Sequence, residues 1–123
     1  MATEWRFAGL KTRSGNVLKD FLADDARLRA RVDVFLGKLK VLPIPWSHNY
    51  YDGSMGDGIG ELRINYGKVE YRFYGFWGPY SRQFTVIMAS KDKKRQQKTI
   101  NAAKKLLSTL LEHGPCAVED YDV

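Results

Sequence analysis

Residues 61–76 read ELRINYGKVEYRFYGF, and the alternation on either side of Gly67-Lys68 constrains the fold more than any other feature of the chain. Two alternating runs separated by two residues, the first a glycine, describe a tight β-hairpin of type II′. Pairing Tyr66 with Val69 sets Ile64 opposite Tyr71 and Leu62 opposite Phe73 on an apolar face. The other face then pairs Asn65 with Glu70, Arg63 with Arg72 and Glu61 with Tyr74. A slip of one residue would mix the two faces, so burial itself holds the register. The arginines are expected on the face away from the core.

Around this hairpin the pattern gives an α+β chain in the order β-α-α-β-β-β-α. Residues 4–8 (WRFAG) suit a short strand, and Val17, Leu18, Phe21 and Leu22 share one side of a short helix. Asp24 or Asp25 caps a second helix whose Leu28, Val32, Phe35, Leu36 and Leu39 form an apolar stripe, ended by Pro43 and Pro45. The two helices read as a hairpin covering one side of the sheet. Residues 43–60 form a long loop rich in Pro, Gly and aromatics, which suggests a binding role or disorder. Strands are expected near 61–66, 69–77 and 82–90. A last helix at about 96–113 turns Ile100, Ala103, Leu106, Leu107, Leu110 and Leu111 inward and stops at Gly114-Pro115. The acidic residues 114–123 are expected to be a loose tail, and the 123 residues to make one domain.

Like charges opposite each other on a sheet repel, so the Arg63–Arg72 pair needs a reason. One is a surface network in which Glu61 and Glu70, diagonal to the arginines, neutralise them. The other is an anion site, since two guanidinium forks fix a phosphate more specifically than lysines do. Charge elsewhere favours the second. Positions 91–105 hold seven basic residues (Lys91, Lys93, Lys94, Arg95, Lys98, Lys104 and Lys105) and one acid, which equals the +6 net charge of the whole chain. Lysines at the start of a helix oppose its dipole, and a bound polyanion would relieve that cost. Tyr50, Tyr51, Tyr74, Phe76 and Trp77 are candidates for stacking on bases, and only Tyr74 shares the arginine face.

Several function classes find no support. No phosphate loop of either glycine-rich type is present, and His48 and His113 have no second histidine at ligand spacing, so neither a metal nor a cofactor is expected. Cys116 is the only cysteine, which excludes an internal disulfide and suits a reducing cytoplasm. The start of the chain lacks the apolar stretch of a signal peptide, and no run reaches the roughly 20 apolar residues of a membrane span.

The segments DGIGELR (57–63), VEYRFYGF (69–76), FTVIMAS (84–90) and KDKKRQQKT (91–99), in this order and spacing, resemble the RelE/HigB-type toxins of type II toxin–antitoxin modules, in particular the phage-derived HigB-like branch. The resemblance spans residues 5–113. It implies a RelE-like fold, with an N-terminal helical hairpin packed on a small twisted antiparallel sheet and a C-terminal helix. It also implies a cytoplasmic, metal-independent mRNA endoribonuclease that cleaves at the ribosome by 2′-hydroxyl attack, partnered by a cognate, helix-turn-helix antitoxin. Carried over by position, the catalytic candidates are Arg72, Arg63 and, from the basic cluster that begins at Lys91, Lys93, Lys94 and Arg95; Tyr74 is added as a proton carrier from its place on the arginine face alone. Lys91, Lys98, Lys104 and Lys105 would bind RNA. A terminal catalytic tyrosine or histidine, present in some members, has only Tyr121 as its candidate here. Gly60 stands where many relatives carry an aromatic, and the basic run is one residue longer than their usual spacing. Arg72→Ala is expected to abolish activity and leave the fold intact. The alternatives are a ParE-like gyrase poison or a non-catalytic RNA-binding relative.

Overall fold

The computed structural model describes residues 4–47, 49–91, 97–113 and 117–122. In chain order the elements are β1 (Arg6–Thr12), β2 (Gly15–Asn16), α1 (Val17–Leu22), α2 (Ala26–Lys40), β3 (Tyr51–Asp52), β4 (Gly60–Tyr66), β5 (Val69–Trp77), β6 (Gln83–Lys91), α3 (Gln97–His113) and β7 (Val118–Tyr121), with a 3₁₀ turn at Pro45–Ser47.

The β4–β5 hairpin has the expected register, from Tyr66↔Val69 through Arg63↔Arg72 to Glu61↔Tyr74. Its turn differs. Gly67 (φ 61°) and Lys68 (φ 66°) are both left-handed, which is type I′ rather than type II′. Lys68 thus adopts a conformation that the sequence reading reserved for glycine.

The architecture departs from the expected helical hairpin on a small antiparallel sheet. The sheet has seven strands in the order β2-β1-β6-β5-β4-β3, with β7 pairing β1 from off this path. It is mixed, because β1 runs parallel to β6, with Phe7 beside Phe84 and Gly9 beside Val86. Among the described residues three α-helices serve this larger sheet, and the first has only six residues. The enlargement comes from short strands with little periodicity of their own: β2, β3 and β7 each span two to four residues.

The supposedly loose tail supplies β7. It lies antiparallel to β1, with Phe7 opposite Tyr121 and Leu10 opposite Val118. Tyr121 is 2% exposed, and its hydroxyl donates to Asp33 Oδ1 on α2 at 2.6 Å. The Asn16 amide donates to the Glu119 and Asp120 carbonyls at 3.4 and 3.3 Å, while its Oδ1 caps α1 by accepting from Lys19 N–H. One buried asparagine therefore ties the start of α1 to the end of the chain.

Both faces of the sheet are covered, because the central strands are apolar on both sides. On one face, Leu18 and Leu22 of α1 and Leu28, Val32, Leu36 and Leu39 of α2 pack on Leu62, Ile64, Tyr71, Phe73, Phe84 and Tyr121. Each such leucine contributes about 2 kcal/mol by leaving water. Asp25 supplies the α2 cap, accepting from Leu28 N–H at 2.9 Å. On the other face, Ile100, Ala103, Leu107 and Leu110 of α3 pack on Ile59, Tyr74, Phe76 and Ile87. The β5–β6 register shifts between Tyr74↔Met88 and Gly75↔Val86, leaving Ile87 as the extra residue of a bulge that joins this second core. Leu111, expected inward, is 63% exposed. Among the described residues no helix is long and apolar enough to cross a membrane.

Candidate nucleic-acid interface

The register places three polar residues in one row across three strands. Arg63 on β4 lies opposite Arg72 on β5, and Arg72 lies opposite Ser90 on β6. Directly opposed residues share a face, and here it is the face that α3 covers. The expectation that the arginines lie away from the core is therefore wrong. Tyr74, two residues along β5 from Arg72, is 0% exposed within the second core, and Arg72 itself is only 5% exposed.

Carboxylates hold the row together. Arg72 Nη1 donates to Glu61 Oε1 at 3.3 Å, and Arg72 Nη2 lies 3.0 Å from Glu70 Oε2. Glu61 Oε1 also lies 3.7 Å from Arg63 Nε. Glu61 is fully buried, and Arg63 from its own strand and Arg72 from the next stand against its charge. The diagonal Glu61–Arg72 contact is the one the register implies. Glu70 turns instead to Arg72 along its own strand.

This network is incomplete. Arg63 Nε, Arg72 Nε and Ser90 Oγ are buried and make no hydrogen bond. Buried polar atoms ordinarily find partners, and these three neighbouring donors have hydrogen-bonding capacity left over, Arg63 Nε having the Glu61 carboxylate only at 3.7 Å. An oxyanion there would face two guanidinium donors and a hydroxyl. Ser90 is the member that sequence reasoning missed; the signal was its position opposite Arg72 once β5 and β6 are in register.

Among the described residues, the remaining candidates are dispersed. Lys91 is exposed at the end of β6, one residue beyond Ser90, and Lys98 is exposed in the first turn of α3. Lys105 is exposed, and Lys104 pairs with Asp57 at 3.5 Å. Lys93, Lys94 and Arg95 lie outside the described residues. Tyr121 is hydrogen-bonded within the α2-side core and does not join the row. The row thus brings Arg63 and Arg72 together and leaves Tyr121 out. Among the described residues no cluster of His, Cys, Asp or Glu could hold a metal ion.

At one end of the sheet the three tryptophans meet. Trp5 and Trp77 stack edge to face at 5.1 Å, and Trp46 lies 5.3 and 5.4 Å from them. Trp77 Nε1 donates to Tyr51 Oη at 2.9 Å, and burial raises the pKa of that phenol. Gly60 makes this possible, since a Cβ there would run into the Tyr51 ring. The glycine at an expected aromatic position thus has a packing reason.

The fold and the row define an α+β protein with a polar, arginine-based seam between sheet and helix. Compared with known proteins, the chain matches no family model, and no curated protein matches it in sequence.

Proposed function

We propose that the chain binds RNA at the Arg63–Arg72–Ser90 row and acts in the cytoplasm as the toxin of a toxin–antitoxin pair, cleaving mRNA on the ribosome. The observation that carries this reading is the set of three buried donors, on three adjacent strands, without hydrogen-bond partners. The charge distribution supports it, because residues 91–105, from the last residue of β6 onward, carry a net charge equal to the +6 of the whole chain. The reading rests on residues and charge, since a fold alone does not imply a function.

In the proposed reaction an RNA 2′-hydroxyl attacks its own 3′-phosphate, forming a cyclic phosphate and releasing a 5′-hydroxyl. Arg63, half-buried, contacts a non-bridging oxygen, and Ser90 donates to the same group. Arg72 has both Nη groups engaged and acts mainly by holding Glu61, and through it Arg63, in place. A lysine or the arginine of 93–95 stabilises the leaving oxygen, and the ribosome supplies in-line geometry. Tyr74, buried in the second core, is left out of the mechanism. An acidic antitoxin segment would neutralise the same cations.

A second reading, a non-catalytic RNA-binding protein, is favoured by the double pairing of Arg72 and the burial of Tyr74. Adding the purified protein to a translation reaction and mapping mRNA 5′ ends separates the two. Codon-phased cuts support the ribonuclease. Intact mRNA with salt-sensitive RNA binding supports the binder. Blocked DNA supercoiling with intact mRNA would replace both with a gyrase poison.

A further inference from the structure

A cavity of about 130 Å³ opens at the edge of the sheet between α2 and β4, lined by Arg31, Phe35, Lys38, Tyr50, Arg63 and Asn65 among others. It lies at this edge because β3 pairs with only two residues of β4, Leu62 and Glu61, so the strand beyond them borders the helix. Arg31, Phe35 and Lys38 fall at i, i+4 and i+7 of α2 and therefore share one side of it. Tyr50 is held there by a hydrogen bond from Arg63 N–H to its carbonyl at 2.9 Å, and its ring meets Phe35 edge to face at 5.4 Å.

The lining has a definite chemistry. Three basic residues, Arg31, Lys38 and Arg63, are among its lining and no acidic residue is. Arg31 and Lys38 are exposed and form no ion pair among the described residues. Tyr50, its ring against Phe35, is 45% exposed as a residue, and Asn65 carries an amide able both to donate and to accept. A bare anion would make no use of the ring or the amide, and an apolar segment would leave the cations facing nothing. A nucleotide uses all of them: phosphate on the cations, base on Tyr50, a base edge on Asn65. Arg63 lines this cavity and stands in the row described above, so the two meet at the edge strand, the cavity on the side of α2 and the row on the face under α3.

We infer that the α2–β4 edge cavity receives the nucleotide next to the phosphate bound on the Arg63–Arg72–Ser90 row, with Tyr50 stacking on its base and Arg31 and Lys38 binding its phosphate. This rests on the proposed RNA-binding reading and extends it to the path of the strand.

The test compares the full chain with Tyr50→Ala, Tyr50→Phe and the double variant Arg31→Ala/Lys38→Ala. Binding is measured to a short oligouridylate and to an abasic sugar-phosphate oligomer of the same length, with circular dichroism confirming folding. Tyr50→Ala is expected to weaken oligouridylate binding about 5- to 100-fold and remove the preference over the abasic oligomer, and Tyr50→Phe to restore it. The double variant is expected to lower the salt slope of binding by about 1.4 for both oligomers. Unchanged affinities in folded variants, with the wild type still binding oligouridylate, would overturn the inference and leave the row intact. Absence of any RNA binding by the wild type would remove both. Displacement of bound oligouridylate by a glutamate-rich peptide whose own affinity needs Arg31 and Lys38 but not Tyr50 would make the cavity a protein-docking face, and would overturn it as well.

Discussion

Glu61 and Arg72 are diagonal neighbours on β4 and β5, and their side chains meet at 3.3 Å in the interior, the carboxylate with no exposure and the guanidinium with almost none. Removing one partner of a buried pair strands the other charge. Glu61→Gln is therefore expected to lower stability by about 3 kcal/mol in urea unfolding. Arg72→Ala should destabilise comparably, against the expectation from sequence that it would spare the fold. A midpoint within experimental error of wild type for either variant would contradict the pairing.

Glu70 holds the other side of Arg72 from a position that is a quarter exposed. Replacing it by glutamine removes a competitor for an incoming phosphate at small cost, about 1 kcal/mol. Glu70→Gln should bind RNA more tightly than wild type, with the gain largest at low salt. Equal or weaker binding across a salt titration would count against an anion site on the row.

Arg63 is the row's accessible member, with one carboxylate 3.7 Å from its Nε. Arg63→Ala should reduce RNA affinity and mRNA cleavage by an order of magnitude or more, losing about 1.5–3 kcal/mol of charged hydrogen bonding. Tyr74→Phe should leave both unchanged, because that ring lies inside the second core. Loss of cleavage in a folded Tyr74→Phe protein would return Tyr74 to the mechanism.

Tyr121 gives the protein an alkaline limit. Burial, followed by its bond to Asp33 and the charge there, raises the phenol's pKa well above the usual 10. A group whose folded pKa is raised contributes fully below its unfolded pKa and loses that contribution as pH rises toward the folded value. Melting temperature should therefore fall more steeply above about pH 10 in wild type than in Tyr121→Phe. Parallel pH profiles for the two would show that the phenol does not govern the loss.

Gly60 lies beneath the Tyr51 ring. Gly60→Ala should displace that ring from Trp77, cost about 1–3 kcal/mol by overpacking and shift tryptophan emission. Unchanged emission and stability would mean that the ring has room to move.

How far the sequence was legible can be followed residue by residue. The hairpin register was readable because alternation over two runs admits a single pairing with one face apolar. The α2 stripe and its Asp25 cap were readable because both are local. What failed was the assignment of faces. Arg63, Arg72 and Glu61 look like an outer surface from the hairpin alone, and only the docking of α3 makes that surface interior. The acidic tail read as loose because four residues carry almost no periodic signal. It is ordered by partners 88 to 104 positions away, Asp33 and Asn16. Arg31 and Lys38 passed as solvated helix charges, since nothing in α2 indicates which strand edge will face them.

Determined by the chain alone are the hairpin, its Arg63–Arg72 juxtaposition and the concentration of positive charge after β6, because neighbours in sequence and side-chain alternation suffice for them. The tertiary structure decided which side of the sheet is buried, that β1 lies parallel to β6, that Ser90 completes the row, and that Glu61 is the shared partner of two arginines. Those outcomes depend on contacts between distant segments, whose free energy appears only when the whole sheet and its helices close together.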